Sequence, residues 1–195
     1  MRKYIFLFAA ITYSSPFNQA NAANSVDVNS IDIAGVKTGM GFEEARVNLA
    51  RYYNIAPDTL IIGKPVNDPV GKPDLPTSVE YRKGGIVVRV GFVKRVPEDS
   101  RRPLVVNQIT YRLPFSKDNS EQMSKLAIEE YGEPSNALND LPMQWCENPD
   151  PKDTLSACRN KNALIMLSGT TLTLYDLKWS HAVGKHRQKG ATYNN

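Results

Sequence analysis

Apolar side chains recur at three- and four-residue steps in two segments of the chain, a pattern typical of amphipathic helices. In MGFEEARVNLARYY, Phe42 and Leu49 share one such face. Glu43 and Glu44 fall in the first turn, where carboxylates complement the helix dipole. The pattern therefore predicts a helix over residues 41–53.

The second segment carries the clearest start and stop signals. Asp118 and Glu121 have the spacing of an N-terminal capping box. Gly132 followed by Pro134 is typical of a helix end. We expect a second helix between these two signals.

Elsewhere apolar and polar residues alternate over short runs, which predicts strands separated by glycine-rich or polar turns. The predicted strands are SVEYR (78–82), IVVRVGFVK (86–94), LVVNQITYRL (104–113), a short strand at 143–146, and the two parts of ALIMLSGTTLTLYDL (163–177) on either side of Ser168-Gly169-Thr170.

The order helix, strand, strand, strand thus occurs twice, in residues 23–115 and 116–178. A helix or a three-stranded meander alone would leave an apolar face in water. We therefore predict an α+β fold of two αβββ units, with the helices packed on one face of antiparallel sheet.

Two further segments lack these patterns. Residues 64–77 hold four prolines, which exclude a helix and predict an extended loop. Residues 179–195 mix basic and small residues and predict a flexible basic tail. The tail also raises the hypothesis of a peripheral, salt-sensitive contact with an anionic envelope surface.

The beginning of the sequence has the features of a secretory signal. Arg2 and Lys3 precede an apolar run, and Ala20-Asn21-Ala22 fits a cleavage site. We predict cleavage after Ala22 and a periplasmic or secreted protein. Loss of Arg2 and Lys3 lowers the net charge from +4 to +2, and a nearly neutral exported body argues against nucleic acid as a partner.

The only two cysteines, Cys146 and Cys158, enclose the polar segment ENPDPKDTLSA. Their spacing is neither that of a redox C-x-x-C pair nor that of a zinc site, and His181 and His186 do not complete a ligand set. In an oxidising compartment this pair favours a disulfide. Closing such a loop contributes about 3 kcal/mol in the chain-entropy description.

Catalytic motifs are missing from the sequence. It has no G-x-S-x-G or S-x-x-K motif and no phosphate-cradling glycine loop, and both histidines fall in the predicted tail. We expect no enzymatic activity, no cofactor and no metal. The alternative of an envelope hydrolase, with a site assembled from distant residues, stays open.

Charge is segregated along the chain, with basic residues concentrated between 82 and 112 and acidic residues between 118 and 153. One interpretation is two solvated surfaces; the other is a dipolar surface that steers a partner. The candidate binding residues are Arg82, Arg89, Arg95, Arg101, Arg102 and Trp145.

Two motifs carry a resemblance to a known group. AGVKTGMGFEE (34–44) resembles the GM(S/T)xEE helix start of BamE-like and β-lactamase-inhibitor-protein-like exported bacterial proteins, and YGEP (131–134) resembles their hGxP helix end. The resemblance implies helix-then-meander units, single or in tandem, that bind proteins as inhibitors or envelope-assembly factors. The chain lacks a lipobox, and its cysteine pair lies in one half only.

Together these observations predict a monomeric, exported, non-enzymatic module whose partner is another envelope or secreted protein. A module binding anionic glycan or lipopolysaccharide is a further alternative.

Overall fold

The computed structural model describes residues 26–27, 30–65, 75–136, 142–150, 152, 157–159, 161 and 163–191. The regular elements of this part of the chain are α1 (Phe42–Tyr52), β1 (Ile61–Ile62), β2 (Ser78–Lys83), β3 (Ile86–Lys94), β4 (Leu104–Arg112), α2 (Lys117–Tyr131), β5 (Met143–Cys146), β6 (Ala163–Ser168), β7 (Thr171–Asp176) and α3 (Leu177–Ala191), with a 3₁₀ turn at Pro57–Thr59.

The strands form one antiparallel sheet in the order β1-β2-β3-β4-β7-β6-β5. Strand β4 pairs with β7 near the middle, where Ile109 lies opposite Leu174. The predicted strands before and after α2 therefore join edge to edge. The α+β class and the antiparallel sheet are confirmed.

One face of the sheet is apolar and buried because strand side chains alternate in direction. Fully buried residues run across this face from strand to strand: Val79, Val88, Val90, Ile109, Leu174, Ile165 and Trp145. Helix α1 adds the buried Ala45 and Leu49, and α2 adds Met123 and Ala127. Residues of the predicted apolar stripes of both helices thus belong to the same buried core.

The segment before α1 is tied to the sheet by backbone hydrogen bonds. Gly39 N donates to Val106 O at 2.9 Å, and Val106 N donates to Met40 O at 2.9 Å. Gly41 N then donates to Glu44 Oε2 at 3.4 Å. These hydrogen bonds fix the start of α1 against β4 and give Glu44 of the GMGFEE motif a role, while Gly39 has a φ of 87 that favours glycine.

Helix α2 begins slightly earlier than predicted. Its N-cap is Ser116, whose Oγ accepts a hydrogen bond from Asn119 N at 3.0 Å, so Asp118 lies inside the first turn. The helix ends at Gly132, as predicted. Gly132 has φ 77 and ψ −169, a conformation open essentially to glycine alone.

The segment predicted as a flexible basic tail, 179–195, is helical through Ala191 as part of α3. A bulge in β4 contributes to this packing: Gly91 faces Gln108 but Phe92 faces Val106, which leaves Asn107 as an additional residue. Asn107 Nδ2 donates to Ser180 Oγ at 3.1 Å. Helix α3, which the sequence pattern does not predict, thus packs against the sheet.

Two predictions fall outside the described residues, wholly or in part. These are the secretory signal over 1–22 and residues 66–74 of the predicted proline-rich loop. No helix within the described ranges is long and apolar enough to cross a membrane.

Candidate functional site

The second face of the sheet is polar where β2, β3 and β4 meet. The register sets Glu80 opposite Arg89, and Arg89 opposite Thr110. The next row sets Arg82 opposite Val87, and Val87 opposite Arg112. We call the surface formed by Glu80, Arg82, Arg89, Gln108, Thr110 and Arg112 the arginine face. Because side chains alternate along a strand, it points away from the core that α1 and α2 cover.

Residues of the arginine face line an open groove of about 610 Å³. The three guanidinium groups of Arg82, Arg89 and Arg112 belong to exposed residues. Glu80 is engaged within the face, because Arg82 Nη2 lies 2.6 Å from Glu80 Oε1. The surface therefore carries net positive charge, supplied by planar donors suited to binding carboxylate or phosphate groups.

Of the predicted binding residues, the structure brings Arg82 and Arg89 together on this face. It adds Arg112, which is not among the binding residues predicted from the sequence. The alternation of LVVNQITYR could have indicated it, since Arg112 follows Thr110 at a two-residue step and Thr110 faces Arg89.

Arg95, Arg101 and Arg102 lie elsewhere, at the β3–β4 connection. Arg95 Nε donates to Arg102 O at 3.1 Å, and its guanidinium carbon lies 5.2 Å from the centre of the Trp179 ring in α3. Arg102 Nε lies 3.7 Å from Asp99 Oδ2. Arg95 thus contributes to helix docking, while Arg101 is exposed at the turn.

Trp145 does not belong to a binding surface, because it is completely buried. Its Nε1 donates to Gly132 O at 2.8 Å, and its ring packs edge-on against Tyr131 with centroids 5.7 Å apart. The indole links β5 to the end of α2. Its position in β5 places it on the core face with Ile165, its register partner.

The disulfide between Cys146 and Cys158 is confirmed, with Cα atoms 5.7 Å apart. Both cysteines are buried, at 0% and 2% exposure. Asp150 N donates to Ala157 O at 2.9 Å within the loop. The bridge therefore fastens the end of β5 and lies beneath the surface, out of reach of a large reactant.

The two histidines of the tail segment lie on α3, where both are exposed. Within the described ranges there is no group of three or more His, Cys, Asp or Glu side chains that could hold a metal ion. The arginine face consequently has the clearest chemical character among the surfaces described so far.

Comparison of the chain with protein-family models, with curated proteins and with solved structures finds no match in any of the three.

Proposed function

We propose that the chain is an exported, non-enzymatic module, built as two αβββ units, that binds an acidic surface of another envelope or secreted protein through the arginine face. The observation that carries the proposal is the row geometry of β2–β4. It holds Arg82, Arg89 and Arg112 on a rigid sheet, with one carboxylate that is itself paired to Arg82.

The rigidity of this surface supports a binding role. Side chains presented by paired strands lose little backbone freedom on association, which lowers the entropic cost of binding. Thr110 and Gln108 add neutral hydrogen-bonding groups beside the arginines. Arginine is also among the residues enriched at the energetically dominant positions of protein interfaces.

The repeated element order supports the two-unit part of the proposal. Helix α1 precedes β1–β4 on one side of the β4–β7 junction, where β1 has only two residues, and α2 precedes β5–β7 on the other. The GMGFEE segment starts α1 and the YGEP segment ends α2. Each thus has the position, helix start or helix end, of the segment that it resembles in protein-binding exported modules.

The experiment begins with crosslinking in cells to identify a partner, followed by measurement of its affinity for the full chain. The test variant combines Arg82→Glu, Arg89→Glu and Arg112→Glu. We expect affinity to fall at least about tenfold, since reversal of charge at an interface costs more than its loss. Affinity of the unaltered chain should also weaken with salt.

A matched control places three charge reversals on the exposed side of α2 and α3, at Lys117, Lys125 and Lys185. It changes net charge by the same amount and leaves the arginine face intact. Equal loss of affinity in both variants would exclude the arginine face as the site. Absence of any captured envelope or secreted protein would remove the protein-binding function itself.

Two alternatives remain as predictions with their own tests. A glycan or lipopolysaccharide module is favoured by the exposed Lys185 and His186 on α3; purified lipopolysaccharide should then bind the full chain and lose affinity when residues 178–195 are removed. An envelope hydrolase should lose turnover when His181 and His186 are both replaced.

A further inference from the structure

A narrow crevice lies on the helix-covered side of the sheet, away from the arginine face. Its floor is formed by Tyr111 of β4 and Leu172 of β7, which are register partners at the strand junction. Tyr111 and Arg112 are consecutive and point to opposite faces. The crevice is thus separated from the arginine face by the thickness of the sheet.

The walls of the crevice are formed by helices α1 and α2 and by the turn before α1. Helix α2 contributes Met123, Ala127 and Tyr131, and α1 contributes Tyr52 near its end. The available volume is about 60 Å³, the space of roughly four to six water molecules. That is too small for a drug-sized ligand, which needs about 300 Å³ or more, but it suits the end of one long side chain.

The chemistry of the lining is aromatic, apolar and acidic. Three tyrosines, Tyr52, Tyr111 and Tyr131, line it together with the carboxylates of Asp32 and Glu130, and the lining includes no lysine, arginine or histidine. Both carboxylate residues are exposed. Asp32 Oδ1 accepts a hydrogen bond from Gly35 N at 2.7 Å, which holds this carboxylate in place.

The tyrosines remain neutral at physiological pH. Burial raises the pKa of Tyr131 to about 12, with a smaller contribution from the charge of Glu130. Burial likewise raises the pKa of Tyr52, assisted by Asp32. Both carboxylates line the same crevice as the rings. The crevice therefore combines two carboxylates with three neutral tyrosine rings.

A positive, partly apolar group fits this combination. Carboxylates repel anions, whereas a guanidinium or ammonium ion is attracted both by carboxylates and by aromatic faces. An arginine or lysine side chain adds an aliphatic stem for the apolar walls. We propose that the crevice receives one arginine or lysine side chain of a partner protein, a recognition site of opposite charge to the arginine face and independent of it.

The test uses the full chain and two small probes, N-acetyl-arginine amide and its neutral isostere N-acetyl-citrulline amide. Amide chemical shifts of Ala127 and Leu172 report on the crevice during titration. We expect the arginine probe to bind at least about fivefold more tightly than the citrulline probe, because the two probes differ mainly in charge. Equal affinities, or an absence of shifts at millimolar concentration, would overturn the proposal.

The double variant Asp32→Asn/Glu130→Gln should abolish the preference for arginine over citrulline. Both substituted side chains are exposed, and asparagine retains the oxygen that accepts from Gly35 N, so folding should be preserved. The matched control is Glu129→Gln, which removes a neighbouring exposed carboxylate of α2 that does not line the crevice. An equal effect of the control and the double variant would contradict a specific site.

A second pair of variants tests the aromatic contribution. Tyr52→Phe keeps a ring face and should bind the arginine probe within about twofold of the unaltered chain, whereas Tyr52→Leu should weaken it about threefold or more. Citrulline binding should change little in either variant. Equal arginine affinities for the phenylalanine and leucine variants would remove the ring from the recognition mechanism.

Discussion

The two ends of the sheet are stabilised by different means. At one end β2, β3 and β4 contain six, nine and nine residues. At the other, β5, β6 and β7 contain four, six and six. Shorter strands form fewer ladder hydrogen bonds and bury less side-chain area, so the second end requires additional stabilisation.

The additional contacts are concentrated around β5. The buried Trp145 donates a hydrogen bond to the end of α2, and the adjacent Cys146 forms the disulfide. The longer strands at the other end rely on a continuous apolar face beneath α1, where Leu49, Val88 and Val90 are fully buried. The comparison indicates that a short edge strand can be held by one aromatic anchor and one covalent link.

Replacing the aromatic anchor should produce the largest effect. Trp145→Ala removes a fully buried indole and leaves Gly132 O without its donor, so we expect the free energy of unfolding to fall by about 4–5 kcal/mol. Leu49→Ala, at the other end, should cost about 3 kcal/mol. Urea denaturation of both variants measures the difference.

Trp145→Phe is the matched control, since it keeps much of the apolar volume but lacks the indole N–H. We expect it to recover more than half of the lost stability. If Trp145→Ala costs less than Leu49→Ala, the proposed dependence of the shorter strands on this anchor is incorrect.

The sequence predicts part of the difference between the two ends of the sheet. Alternation in IVVRVGFVK and LVVNQITYR predicts long strands, and the cysteine spacing together with the export signal predicts the bridge. The sequence does not show which face of β5 Trp145 occupies, since a tryptophan beside a polar loop fits either face. Its burial follows from the register with Ile165, a long-range pairing.

The local sequence pattern is not sufficient to predict helix α3, the arginine face or the crevice. The α3 segment is rich in basic and small residues and has an internal Gly184, and its helix is supported by contacts with the distant Arg95 and Asn107. Strand β1 has two residues, too few for alternation to be recognised. The crevice is lined by residues of the turn before α1, of helices α1 and α2, and of strands β4 and β7. These residues are distant in the sequence and lie close together only in the folded chain.

Removing the covalent link should have the next largest effect. Cys146→Ala with Cys158→Ala should lower the free energy of unfolding by about 3 kcal/mol. Because the bridge joins β5 to its own loop, hydrogen-exchange protection should fall mainly in β5 and β6. An equal loss of protection in β2 and β3 would show that the bridge supports the whole sheet rather than one end.

Alkaline pH should weaken the fold through its buried tyrosines. Burial raises the pKa of Tyr131 to about 12, above the unfolded value of about 10. The resulting stabilisation is complete below pH 10 and is lost as pH rises from 10 to 12, because the unfolded chain then releases the proton more readily. The slope from this group approaches about 1.4 kcal/mol per pH unit.

Burial also raises the pKa of Tyr53, at the end of α1, and of Tyr111, in β4, so the unaltered chain should lose stability through several groups. Tyr131→Phe should reduce the slope of unfolding free energy against pH between 10 and 12 without abolishing it. An unchanged slope would show that Tyr131 ionises equally in the folded and unfolded chain.

The smallest predicted effect concerns α3, which contacts β3 and β4 at the end with longer strands. Ser180→Ala leaves Asn107 Nδ2 without its acceptor and should lower the free energy of unfolding by about 1 kcal/mol. Ser120→Ala, on α2 and away from this contact, is the matched control and should cost less. Hydrogen exchange should show lost protection in α3 while β5 and β6 keep theirs, because the disulfide and Trp145 hold those strands independently. Loss of protection in β5 would instead mean that α3 stabilises both ends of the sheet.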